Sequence, residues 1–209
     1  MTRLVGAVTI GQSPRPDLLE PLRARLPSDV AVIEAGALDA LVAEDLPDDA
    51  GSYPLTTRLR GDRPVTLDEA FLAPHVQDAI DAVEARGAGT TLLLCAGGFP
   101  DLRARGRLVR PFEAAVEALR AMGARRIGVV VPIAGQAAPA ERKWRAAGFE
   151  PVLLVGSPSS IPVPAGIDAL VLDFVGHPAA AVAALRDPVG VPVVDLGEAG
   201  AAAAAADFR

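Results

Sequence analysis

The one thiol of the chain, Cys95, closes the apolar run Leu92-Leu93-Leu94 and is followed at once by Ala96-Gly97-Gly98-Phe99-Pro100. A thiol beside a glycine-rich turn can face backbone N–H donors that favour the thiolate, and so act as nucleophile or as acid and base. A lone cysteine after three leucines is also a common core residue, and on local sequence that reading is the stronger. A second group stands at Asp173-Phe174-Val175-Gly176-His177, where a carboxylate or an imidazole can exchange a proton near neutral pH. The alternative is that Asp173 caps the next helix and His177 sits at its start beside Pro178. A third, Gly11-Gln12-Ser13-Pro14-Arg15-Pro16-Asp17, joins turn N–H groups, a hydroxyl and a guanidinium suited to a carboxylate or phosphate. It reads equally as a capped helix start with a surface arginine, and it is neither a dinucleotide fingerprint nor a phosphate loop. Tyr53-Pro54-Leu55-Thr56-Thr57-Arg58-Leu59-Arg60-Gly61 carries the only tyrosine and two arginines that either share a ligand or are solvated.

Composition removes several other chemistries. With one cysteine and two histidines, His75 and His177, there is no internal disulfide framework and no Cys-based metal site, and a His-rich centre is not expected. Twenty basic against 26 acidic residues give a net charge of −6, which argues against nucleic acid or an anionic membrane as partner. No apolar run approaches the about 20 residues that span a bilayer, and Met1-Thr2-Arg3 does not open a signal peptide, so a cytoplasmic location is expected. Lys143 is the sole lysine; the arginine excess is a composition bias that lowers the information any one arginine carries. A homodimer is only the base-rate expectation for assembly.

These groups must be held by an alternation of strands and helices. Apolar runs at Leu4–Ile10, Val30–Ala35, Thr90–Cys95, Arg126–Val131, Val152–Val155, Ala169–Phe174 and Val191–Asp195 lack polar alternation, as a parallel sheet covered on both faces requires. Helical patterns at Pro16–Arg25, Leu67–Arg86, Pro111–Met122, Gln136–Ala147 and Pro178–Arg186 separate them, with Trp144 expected to cover a sheet and His75 to lie on an ordinary helix face. The pattern lapses between Gly36 and Pro64, a stretch long enough for a functional flap or a surface excursion. Val5–Gly11-Gln12 echoes Val129–Gly135-Gln136, and each half later reaches a strand ending in a glycine turn. The expectation is two similar flavodoxin-like α/β lobes, 1–123 and 124–209, with a flap at 36–64 and the last helix able to pack back on the first lobe. Doubly wound sheets bind ligands at strand C-termini, which places the site in the cleft between the lobes.

In order and spacing the motifs resemble the AroM family of the aspartate/glutamate/hydantoin racemase-like superfamily. They are Thr9-Ile10-Gly11-Gln12-Ser13-Pro14-Arg15-Pro16-Asp17, Gly36-Ala37-Leu38-Asp39, Tyr53-Pro54-Leu55 with Thr57-Arg58-Leu59-Arg60, Leu92–Cys95 with Gly97 and Phe99-Pro100, Val131-Pro132 with Gly135-Gln136, and Leu172-Asp173 with Gly176-His177. The resemblance implies a two-lobed α/β fold with a ligand in the cleft. In the wider superfamily two facing cysteines exchange the α-proton of an amino acid or related acid without a cofactor. By position Cys95 matches the first cysteine and Phe174 stands at the second, while Ala96-Gly97 replaces the Asn-Thr that follows the first cysteine in the racemases. The expectation is therefore a cofactor-independent isomerase- or lyase-like enzyme acting on a small carboxylate or amino-acid-like substrate. Cys95 would be its nucleophile or acid and base, and His177 or Asp173 would oppose the thiol. Gln12, Ser13, Arg15 and Arg58 would hold the carboxylate, with Gly97 and Gly98 supplying N–H donors. The alternative is a non-catalytic carboxylate-binding protein that has lost the second cysteine.

Overall fold

The computed structural model describes residues 3–158 and 162–209 and turns the seven apolar runs into parallel strands. The chain first forms β1 (Arg3–Thr9), α1 (Pro16–Arg23), β2 (Val30–Gly36), β3 (Pro54–Arg58), β4 (Pro64–Asp68), α2 (Glu69–Ala85), β5 (Thr90–Leu94), β6 (Arg107–Val109) and α3 (Pro111–Ala121). It continues with β7 (Arg126–Val131), α4 (Ala137–Ala146), β8 (Glu150–Val155), β9 (Ala169–Leu172), α5 (Ala179–Val189), β10 (Val193–Asp195) and α6 (Leu196–Ala205). Each of two lobes is built on a four-stranded sheet, in the orders β2-β1-β5-β6 and β8-β7-β9-β10, with all neighbours parallel. Counted from each lobe's first strand the order is the same, so the winding reverses beside β1 and again beside β7. Each lobe thus has one switch point at its strand C-termini.

Alternate side chains of each strand enter different cores, which is why the runs are apolar throughout. Val5, Ala7, Leu92 and Leu94 of the first sheet share a core with Ile127, Val129 and Val131 of the second, and with Leu19, Leu119, Trp144 and Ala204 from α1, α3, α4 and α6. On the opposite face of the first sheet Val8, Ile10, Leu93 and Cys95 pack with Leu72, Val76 and Ile80 of α2. The opposite face of the second sheet joins Val130, Leu170 and Leu172 to Val182 of α5. One core is therefore shared by both lobes. Helix α6 completes it, packing on α1, α3 and β5 of the first lobe. Beyond it, Thr90 Oγ1 donates to Asp207 at 2.7 Å and Arg3 Nη1 donates to the Phe208 carbonyl at 2.8 Å.

The irregular segment is more ordered than its composition suggests. Leu55 pairs with Leu67 and Thr56 with Thr66 in an antiparallel hairpin, closed where Gly61 (φ +75°) and Asp62 (φ +66°) turn the chain. β-Branched Thr56, Thr57, Val65 and Thr66 suit those extended positions. The helix expected from Leu67 starts instead at Glu69, because Leu67 faces its strand partner and the Asp68 carboxylate accepts from Ala70 N–H as the cap. Strand β6, three residues that start at Arg107 and are followed by Arg110, has no apolar signature of its own. Helix α5 runs past the expected stop at Asp187-Pro188 to Val189, where Gly190 (φ +68°) closes it.

Candidate active site

The C-terminal ends of β1, β5, β7 and β9 bring Thr9, Ile10, Cys95, Ala96, Val131, Asp173 and Phe174 around one cavity of about 220 Å³. The hairpin roofs it with Tyr53, Leu55, Thr56, Thr57, Arg58 and Pro64, and Arg15, Asp17, Gln136 and Lys143 complete its polar wall. Three cations, Arg15, Arg58 and Lys143, face two carboxylates, Asp17 and Asp173, so the lining is formally positive in a chain of net charge −6.

Two glutamines tie the hairpin to the lobes. Gln12 Oε1 accepts from Arg60 N–H at 2.8 Å while its Nε2 donates to the carbonyls of Leu38 and Leu41. Gln136 Nε2 donates to the Pro54 carbonyl at 3.1 Å from the second lobe. Gly11 lies so close to the hairpin that a Cβ there would meet Arg58 O and Thr57 Oγ1 at 2.4 Å. Gly11→Ala is therefore expected to lift the roof, lowering stability by about 1–3 kcal/mol. Thermal melting and faster tryptic cleavage after Arg58 and Arg60 would register it.

Cys95 reaches the cavity from a buried position, and Gly97 N–H donates to its Sγ at 3.2 Å. Burial dominates over that donor and pushes the thiol up to about 12, with the nearby Glu69 and Asp173 charges adding to the rise and Lys143 opposing it. The thiol is thus protonated at neutral pH. Glu69, at the start of α2, accepts from Gly98 N–H at 3.1 Å and is itself raised, first by burial. A Cβ at Gly97 would stand 2.8 Å from the Phe99 ring and 3.0 Å from Glu69 Oε2, so this turn needs glycine for close packing. Tyr53 over the cavity is also raised, by burial and then by the charges of Asp173 and Glu69.

Several expected ligand groups are committed elsewhere. Gln12 and Ser13 do not line the cavity: Gln12 pins the hairpin, and Ser13 N–H and Oγ both donate to Asp39 at 2.7 Å. Gly97 and Gly98 are likewise absent from the lining, their N–H groups being taken by Cys95 Sγ and Glu69. His177 is not a lining residue either; it packs edge-on against Phe174 with ring centroids 5.4 Å apart, and burial lowers its pKa. Its buried Nε2 has no hydrogen-bond partner among the described residues. Arg15 and Arg58 do reach the cavity, Arg15 gripping Asp17 with two bonds and Arg58 pairing with Asp62.

Asp173 lines the cavity but caps no helix. Lys143 Nζ donates to its Oδ1 at 2.8 Å and Trp144 Nε1 donates to its Oδ2 at 2.8 Å. Lys143 Nζ also donates to the carbonyl of Ala96, directly after Cys95, so one ammonium bridges the switch points of both lobes. The sequence marks Lys143 only as the sole lysine of an arginine-rich chain. A lone lysine among arginines, one residue before a core tryptophan, was the available signal. Among the described residues no group of three or more His, Cys, Asp or Glu is placed to hold a metal ion, and no helix is long and apolar enough to cross a membrane.

The same fold recurs in solved enzymes. An allantoin racemase from Klebsiella pneumoniae is 19% identical with a TM-score of 0.68, covering 98% of this chain and 86% of its own. A maleate isomerase from Pseudomonas putida S16 is 16% identical with a TM-score of 0.65, covering 96% and 90%. A liganded, doubly substituted arylmalonate decarboxylase is 17% identical with a TM-score of 0.65, covering 100% and 94%. At these identities the likeness is one of fold. No curated protein sequence matches the chain. The AroM protein model does match, from residue 5 to residue 208, and the chain belongs to the AroM family.

Proposed function

We propose that this protein is a cofactor-independent isomerase- or lyase-like enzyme that moves a proton on one face of a small carboxylate, with Cys95 as the transferring group. The observation that carries the reading is the placement of a single protonated thiol at the floor of a small, formally positive cavity whose second-lobe turn presents Phe174. Two-base racemisation needs an acid and a base on opposite faces of the carbon. A phenyl ring supplies neither. A thiol that starts protonated suits delivery of a proton to carbon. When a leaving group such as carbon dioxide departs and leaves its electron pair on the α-carbon, the S–H proton passes to that carbon. The resulting thiolate then recovers a proton from water. Similar folds that carry racemase, isomerase and decarboxylase activities support this class of chemistry.

The test is to incubate the protein in heavy water with a panel of amino acids, hydroxy acids and substituted malonates, following deuterium incorporation and carbon dioxide loss by NMR. Turnover with deuterium delivered to one face is expected. Phe174→Cys is expected to add loss of stereochemical configuration, by restoring a proton-transferring group at that turn. The opposite result is no exchange with any compound, together with ligand-induced thermal stabilisation that is unchanged in Cys95→Ser. The protein would then be a carboxylate-binding protein, and the missing second thiol is the observation that favours that reading.

A further inference from the structure

Charge developing on a carboxylate during proton transfer needs fixed donors close to the thiol. The glycine turns of the first lobe do not provide them. The N–H groups of Gly11, Gln12, Ser13, Gly97 and Gly98 donate to Thr9 Oγ1, Arg58 O, Asp39, Cys95 Sγ and Glu69 in turn. Arg15 and Arg58 also line the cavity, and each is paired with an aspartate. Lys143 is different. Its ammonium has three donors, of which Ala96 O and Asp173 Oδ1 take two at 2.8 Å each.

The ammonium also lies against aromatic rings. Nζ lies 4.8 Å from the centroid of the Phe112 ring and 5.8 Å from that of Trp144, and its side chain is only 11% exposed. Asp173 is fixed in turn by Trp144 Nε1, and Trp144 is locked edge-on between Phe112 and Phe149. The position of the ammonium is thus built into the core rather than adopted on binding. A planar guanidinium could not place one short bond on a backbone carbonyl, a second on a carboxylate and a third donor out of their plane. That geometry gives a reason for lysine at this one place in a chain that otherwise uses arginine.

From this arrangement we infer that Lys143 is the residue that grips the substrate carboxylate beside Cys95, its third N–H directed into the cavity, with Asp173 as the positioning residue that holds it there. This rests on the reading of the cavity as a carboxylate site, and it is testable without turnover. Because the chain has a single lysine, growth on lysine labelled with carbon-13 at Cε gives one lysine signal, which reports directly on this ammonium.

Titrating that signal with malonate as probe, and with uncharged malonamide as control, is expected to show a saturable shift with malonate alone. The shift should persist in Cys95→Ser. In Lys143→Gln combined with Asp173→Asn, which removes both charges and keeps hydrogen-bonding groups, calorimetry is expected to show malonate affinity weakened at least tenfold. The inference is overturned if malonate binds while the signal stays still, if the double variant binds as tightly as wild type, or if wild type shows no saturable binding. Should the double variant not fold, the titration of wild type decides alone. If the lysine signal responds but Cys95→Ser turns over normally, only the role given to Cys95 fails.

Discussion

Asp173→Ala is expected to lower the unfolding free energy by about 3–5 kcal/mol, the range for removing one partner of a buried ion pair. The Asp173 side chain is 2% exposed, and its loss strands two donors at once: the Lys143 ammonium and the indole N–H of fully buried Trp144. Asp173→Asn is expected to cost less, since its amide oxygen can still accept from Trp144. Lys143→Met combined with Asp173→Ala should recover part of the loss, because no charge is then left buried, so the two single effects will not add. Urea denaturation followed by tryptophan fluorescence measures all three, Trp144 being the only tryptophan.

Cys95→Ser is expected to reduce turnover by about a thousandfold or more, within the range contributed by a positioned proton-transfer group, while leaving ligand-induced stabilisation intact. The hydroxyl fills nearly the same space but is a far weaker acid. The same variant carries a pH signature. An unfolded thiol ionises near its ordinary value of 9.0, whereas burial holds the folded thiol up to about 12. Between these values the unfolded state binds fewer protons, so wild-type stability falls as pH rises. The loss approaches about 4 kcal/mol if the whole difference is expressed. Below pH 9 both states are protonated and this group contributes no slope. Subtracting the stability profile of Cys95→Ser from that of wild type isolates the thiol from Tyr53, which is also raised. A flat difference profile between pH 9 and 11 would mean that the thiol is not buried as described.

Much of the scaffold was legible because parallel strands covered on both faces have no choice but to be apolar. The runs ending at Ile10, Cys95, Val131 and Phe174 placed the switch points at the correct turns. The hairpin was not legible: its strands are five residues each, both begin with proline, and their pairing is fixed by the contact of Leu55 with Leu67 across the turn. The site divides along the same line. Cys95, Asp173 and Arg15 reach the cavity, since strand ends and helix starts determine where they point, whereas Arg58 reaches it from the hairpin. Gln12 and Ser13 occupy a matching turn, yet their polar groups are claimed by residues 26 to 48 positions away, at Leu38, Asp39, Leu41 and Arg60. Local spacing holds no record of such partners. Lys143 was missed for the complementary reason: nothing near it in sequence announces that its carbonyl and carboxylate partners arrive from two different lobes.

The return of α6 to the first lobe has a mechanical consequence. A cleft between two lobes ordinarily opens by rotation about a linker, but here the last helix of the chain crosses the junction and is clasped by α1, α3 and β5. Rotation would have to peel that helix away and break the links of Thr90 and Arg107 to Asp207. The lobes therefore act as a fixed frame. Against that frame the hairpin is tied down from both lobes, by Gln12 on one side and Gln136 on the other, so the roof of the cavity belongs to neither lobe alone.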